Sequence, residues 1–177
     1  MNNGAPPPGV LQGTVVFTDI VGFTEYTALR GDEEAVKLLS VQERLVREAL
    51  PSDARIVKEL GDGLLLWFAD ACAALETSLA LQERFEEESN QSDLPLWVRI
   101  GLHSGRQTQR GNDIVGHDVN VASRVVDAAG PGEVLISHTT RAEIEDKLPD
   151  VSFDELGPVV MKGLPEPVPL YRAQRGA

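Results

Sequence analysis

One cysteine, Cys72, stands in the whole chain of 177 residues, so no disulfide can form within it. Lying in an alanine-rich helical stretch, it reads as a small buried hydrophobe. A reducing, cytoplasmic compartment is the expectation. Basic residues are also scarce: 16 Lys and Arg face 28 Asp and Glu, for a formal net charge of −12. No basic stripe is visible, which argues against a nucleic-acid polymer as partner. A polyanionic small ligand would need a local cluster of cations and a metal, because the overall field repels it. No apolar run approaches the roughly 20 residues of a membrane span. The first residues lack the basic and apolar regions of a signal peptide. Repeats are absent, and so is any sign of a second core.

What is present suits one domain with a real core. Residues 1–10, which include Ala5-Pro6-Pro7-Pro8-Gly9, read as a flexible leader. Residues 11–173 read as the folded domain and 174–177 as a tail. A buried strand is predicted over Gly13–Thr18. A helix with Asp32 as its cap and an apolar stripe through Leu38, Leu45 and Val46 ends at Pro51. Ala54–Leu60 and Leu64–Phe68 read as strands joined by Gly61-Asp62-Gly63. Asp70 caps an Ala- and Leu-rich helix running to about Glu88. Pro95–Ser104 is a strand, Arg106–Asn112 a short polar segment, and Val119–Ala129 an amphipathic helix. A strand at Glu133–Ser137, a helix at Thr139–Lys147 and a strand-rich end complete an α/β (α+β) domain.

Two aspartates carry the strongest chemical signal. Asp19 closes the run Val15-Val16-Phe17-Thr18, and Asp62 sits in the turn after Val57-Lys58-Glu59-Leu60. If those strands lie side by side, two carboxylates meet at one sheet edge, an arrangement suited to divalent cations. The loop after Asp19, Ile20-Val21-Gly22-Phe23-Thr24, opens a helix, and its backbone N–H groups would suit phosphate. Other candidates are weaker singly. Lys58 alone reads as a solvated edge residue, Asp113 as a turn residue, and Asn120 with Arg124 as a polar helix flank. Arg106 and Lys162 are isolated cations beside glycines.

Three segments occur in order: V-F-T-D-I-V-G-F-T, V-K-E-L-G-D-G and G-N-D-I-V-G-H-D-V-N-V-A-S-R. Together they resemble the catalytic domain of the class III nucleotidyl cyclases, from about Gly13 to Arg172. His103-Ser104-Gly105-Arg106 and the segment Leu156–Leu164 fit the same family. The resemblance implies a ferredoxin-like βααββαβ domain whose mostly antiparallel sheet is flanked by helices. It implies that Asp19, Asp62 and the Ile20 carbonyl bind Mg²⁺ or Mn²⁺, two ions per site. Val21, Gly22, Phe23 and Thr24 would hold the β- and γ-phosphates. Arg106 would touch phosphate from the same subunit, and Lys162 would pair with the terminal phosphates. Lys58 and Asp113 match the pair that reads adenine, Asn120 would orient the ribose, and Arg124 would stabilise charge on the α-phosphate.

That resemblance makes ATP the expected substrate, since a lysine donor and an aspartate acceptor match the N1 and N6 edge of adenine. Guanine presents the reverse pattern. In this family the metal-binding residues come from one subunit and the base- and ribose-side residues from the other. This chain holds both sets, so a head-to-tail homodimer with two shared sites is expected. The short stretch between Arg106 and Asp113 resembles a bacterial subset with a brief arm onto the partner. A regulatory domain or protein outside this chain is a further expected partner. Three other readings stand beside adenylyl cyclase: a guanylyl cyclase, a catalytically silent nucleotide-binding module, and a cyclic-dinucleotide synthase. The Asn120–Arg124 helix is foreign to the last.

Overall fold

A computed structural model describes residues 7–176. Residues 1–6 of the expected leader, and Ala177, lie outside the described part. The elements run β1 (Val10–Ile20), α1 (Phe23–Arg30), α2 (Asp32–Ala49), β2 (Arg55–Leu60), β3 (Gly63–Phe68) and α3 (Ala71–Ser92). They continue with β4 (Val98–Arg110), β5 (Asp113–Val115), α4 (His117–Asp127), β6 (Val134–Ser137), α5 (His138–Ile144), β7 (Val151–Val159) and β8 (Val168–Arg175). The first seven elements follow the βααββαβ order. The strands form one sheet in the order β2-β3-β1-β4-β6-β8-β7, with β5 hairpinned onto β4. Among the described residues, only the β4–β6 pairing is parallel.

β1 lies inside the sheet and is buried on both faces from Gly13 to Thr18, which is why Val15, Val16 and Phe17 follow one another instead of alternating with polar residues. Val16 and Ile20 point into a large cluster with Leu38 and Leu45 of α2, Leu75, Leu81 and Phe85 of α3, and Val98, Ile100 and Leu102 of β4. Val15 and Phe17 point the other way, onto Val119, Ala122 and Val126 of α4. α4 also buries Val121 and Val125 against Leu135 and Leu170. Each such valine contributes about 1.5 kcal/mol or more. This doubly anchored helix covers the second face of the sheet.

Asp70 caps α3 as expected, its carboxylate accepting from the Ala73 N–H at 2.9 Å. Asp32 does not cap α2. Gly31 holds that position, and Asp32, Glu33 and Glu34 fill the first turn, where their charge complements the helix dipole. Cys72 is half-buried against the core, and burial pushes its thiol pKa up. The polar segment expected after Arg106 is instead strand. β4 continues to Arg110 and pairs with the first residues of β1, Gln12 opposite Arg106 and Val10 opposite Thr108. Buried Gln107 takes the indole N–H of Trp67 and donates to the Gly13 carbonyl. Hydrogen bonds, not an apolar pattern, hold this stretch extended. Strand β8 runs to Arg175, into the residues read as a tail. Among the described residues, no helix is long and apolar enough to cross a membrane.

Candidate active site

The two aspartates meet because β1 and β3 are antiparallel neighbours with Asp19 opposite Gly63. Gly63 is required there: a Cβ would run into the Thr18 carbonyl. The turn that carries Asp62 is tied down by a small polar relay. Buried Gln42 of α2 donates to the Asp62 carbonyl at 3.3 Å, and its own amide oxygen accepts from the Thr18 hydroxyl at 3.0 Å. Thr18 in turn accepts from the Leu64 N–H at 3.1 Å. Burial and the neighbouring Asp19 carboxylate push the Asp62 pKa from 3.8 up to about 6. Such a pair of crowded carboxylates favours a cation between them.

Asp19, Ile20, Val21, Gly22, Phe23, Thr24 and Asp62 all border one pocket of about 420 Å³. Gly22 adopts φ 73° at the start of α1, a left-handed turn that suits glycine and lets the loop fold over the carboxylates. All-oxygen donors fit a hard divalent ion. Among the described residues, no third His, Cys, Asp or Glu completes a metal cage. That donor set fits an ion that also takes ligands from a substrate phosphate.

The cation in this pocket is Arg99, not Arg106. Arg99 lies opposite Asp19 in the β1–β4 register and pairs its guanidinium with the Asp19 carboxylate. Its other terminal nitrogen donates to the Asp127 carbonyl at 3.4 Å, and its Nε is buried without a partner. The guanidinium thus keeps a free donor. Arg106 is exposed, and its backbone N–H donates to Asp118 at 2.8 Å. The sequence signal for Arg99 was its place on the β4 face shared with Gly101 and His103. That signal needed the pairing of β4 with β1 to acquire meaning.

Lys58 and Asp113 lie 55 residues apart and meet at 2.9 Å, Nζ donating to Oδ2. The hydrogen bond from Lys58 holds the Asp113 carboxyl below its usual pKa. A bulge in β2 between Ile56 and Lys58 swings the lysine toward β5. Asn120 and Arg124 sit on the flank of α4, Asn120 exposed and Arg124 held 3.2 Å from Asp127. Lys162 is exposed in the β7–β8 connection. None of Lys58, Asp113, Asn120, Arg124 or Lys162 borders the Asp19–Asp62 pocket. One chain therefore presents the carboxylate pocket and, outside its lining, the Lys58–Asp113 pair, while Arg124 lies beside Asp127, whose carbonyl also accepts from Arg99.

A carboxylate pair under a phosphate-sized loop, with a separate donor–acceptor pair on the same sheet, outlines a nucleotidyl cyclase domain. The chain belongs to the adenylate and guanylate cyclase catalytic domain family, which it matches over residues 10–173. It is 34% identical over 176 residues to the pH-sensitive adenylate cyclase MT1302 of Mycobacterium tuberculosis (strain CDC 1551 / Oshkosh), covering 98% of this chain and 43% of that protein. It is 31% identical to the serine/threonine-protein kinase pkn2 of Myxococcus xanthus, covering 93% of this chain and 20% of that one. The chain thus spans less than half the length of these relatives. Among solved structures, the adenylyl cyclase CyaB from P. aeruginosa superposes with a TM-score of 0.85 at 27% identity, covering 95% of this chain and 96% of that one.

Proposed function

We propose that this domain is an adenylyl cyclase, converting ATP to 3′,5′-cyclic AMP and pyrophosphate at two sites shared across a head-to-tail homodimer. The observation that carries the base assignment is the Lys58–Asp113 pair at 2.9 Å. Together they offer one donor and one acceptor at one spot. Lys58 would donate to adenine N1, and Asp113 would accept from the N6 amino group.

Asp19, Asp62 and the Ile20 carbonyl would hold two Mg²⁺ or Mn²⁺ ions, which when bound lower the pKa of the ribose 3′-hydroxyl and neutralise the departing pyrophosphate. The N–H groups of Val21–Thr24 receive the β- and γ-phosphates. Arg99, which borders the same pocket, would offer its guanidinium to phosphate, a role the sequence resemblance gave to Arg106. From the other subunit, Asn120 orients the ribose. Arg124 leaves Asp127 and aims its donors at the charge that develops on the α-phosphate. Lys162 neutralises the terminal phosphates. Phosphoryl transfer asks for this kind of positioning and charge stabilisation more than for covalent help. That the Lys58–Asp113 pair lies outside the lining of its own chain's carboxylate pocket supports a shared site, since a two-fold axis would bring the pair to the partner's pocket.

The test is base preference. Comparing kcat/KM for ATP and GTP, the parent should favour ATP. The double variant Lys58→Glu, Asp113→Ser should lose ATP use by about 100-fold, as one good donor and one good acceptor go. Unchanged ATP preference in that variant would remove these residues from base reading.

A further inference from the structure

The polar residues that the proposed chemistry leaves unused concentrate where β4 meets the start of α4. His103 projects from β4 toward α4 and is only 4% exposed. Its Nε2 lies 3.0 Å from Asp118 Oδ1, and its Nδ1 lies 2.6 Å from Ser137 Oγ and 3.2 Å from Thr139 Oγ1. A carboxylate only accepts, so Nε2 carries the hydrogen. The Thr139 hydroxyl donates to the Ser104 carbonyl at 2.9 Å, which leaves Ser137 as the hydroxyl free to donate to a neutral Nδ1. The second oxygen of Asp118 accepts from the Arg106 N–H at 2.8 Å. Both carboxylate oxygens are therefore committed to β4. The hydrogen bond from His103 is the main reason that Asp118 stays below its usual pKa.

Two glycines of β4 shape the seat. A Cβ on Gly105 would collide with the Asp118 carboxylate, and one on Gly101 would collide with the Val126 backbone. α4 is thus fixed at two points, Asp118 at its first turn and Val126 at its last. Asn120 and Arg124 lie on the helix between them. The first point is held by two short hydrogen bonds to the Asp118 carboxylate, the second by backbone contact beside the longer 3.4 Å hydrogen bond from Arg99 to the Asp127 carbonyl.

We propose that the His103–Asp118 pair is a positioning clamp that sets the rotation and height of α4, and through it the reach of Asn120 and Arg124 into the partner's half of the site. The proposal rests on the shared-site adenylyl cyclase reading. Neither residue touches substrate. A helix misplaced by about 1 Å costs about 100-fold in a positioned reaction, so the loss falls on kcat.

His103→Ala should lower kcat by about 10- to 100-fold, with KM for ATP within about threefold, because Lys58, Asp113 and the phosphate loop are untouched. His103→Gln, which keeps a donor near the Nε2 position, should restore a good part of the rate. Asp118→Ala removes the acceptors of both the His103 and the Arg106 hydrogen bonds, and should fail like His103→Ala. Mixed chains separate positioning from general damage. The parent mixture joins an Asp19→Ala chain to an Arg124→Ala chain, so the one working site uses the α4 of the Asp19→Ala chain. His103→Ala added to that chain should remove most of the recovered activity. Added to the Arg124→Ala chain, whose α4 is already idle, it should leave most of it. Equal loss in both arrangements would overturn the clamp and indicate damage to the whole fold. A parent mixture with no recovered activity would instead overturn the shared-site reading, and the clamp with it.

Discussion

Asp62 is the residue whose protonation reaches furthest. Its folded pKa stands at about 6 against an ordinary 3.8, raised by burial and by Asp19. A raised carboxyl binds its proton more tightly when folded, so it adds stability at low pH that fades as pH rises from about 4 to about 6. Without divalent ions, Asp62→Asn should therefore melt higher than the parent above about pH 6 and lose that advantage below about pH 4. Melting temperatures across this range check it, and a variant less stable than the parent at neutral pH would contradict it. The same proton competes with metal, so Mn²⁺ affinity measured by calorimetry should fall as pH drops below about 6. At this scale the sequence was readable wherever a side chain signals alone: Asp19, Asp62 and the glycines of the loop stand out beside apolar runs. Arg99, Gln42 and His103 did not stand out. Each acquires its role from a partner on another strand or helix, opposite Asp19, beneath the Asp62 turn and beside Asp118.

At the scale of elements, α1 and the β1–β3 contact differ most in security. No residue of α1 is buried, and it holds to the core only through the partly buried Phe23 and Tyr26. Its amides should exchange with solvent well before those of β1, and slow when Mn²⁺ and a non-hydrolysable ATP analogue are added. Hydrogen exchange read by mass spectrometry tests this; protection of α1 equal to that of β1 without ligand would contradict it. The close approach of β1 and β3 leaves no room at Gly63. Gly63→Ala should cost about 2 kcal/mol or more in urea unfolding, and displace Asp62 as it does so. Elements with strong periodicity were legible: β1, β3, α3 and the amphipathic α4 follow from their apolar positions. The outer half of β4 was not, because residues 106–110 have no apolar alternation and stay extended through backbone pairing with β1 and the buried Gln107 amide.

At the scale of the whole molecule, the proposed function requires a second copy. None of Lys58, Asp113, Asn120 or Arg124 lines the Asp19–Asp62 pocket of its own chain. Specific activity should therefore fall on dilution through the dimer dissociation range, and a rate per chain that is independent of concentration would contradict this. Equal amounts of Asp19→Ala and Arg124→Ala chains should recover about a quarter of the parent activity, since half the dimers would be mixed and each would own one good site. The proposed assembly is not legible from periodicity or charge. It entered only through the family resemblance and the presence of both residue sets in one sequence. The acidic net charge of −12 is compatible with a triphosphate substrate because Arg99, Lys58, Arg124 and Lys162 supply local cations where the overall field does not.

The most direct measurement is identification of the product. The purified chain, incubated with ATP or GTP and with Mg²⁺ or Mn²⁺, should release 3′,5′-cyclic AMP and pyrophosphate from ATP, resolved by chromatography with mass detection. Asp62→Ala under the same conditions should release none. A linear hydrolysis product, a cyclic product in the Asp62→Ala control, or no product at protein concentrations high enough to dimerise would contradict the account.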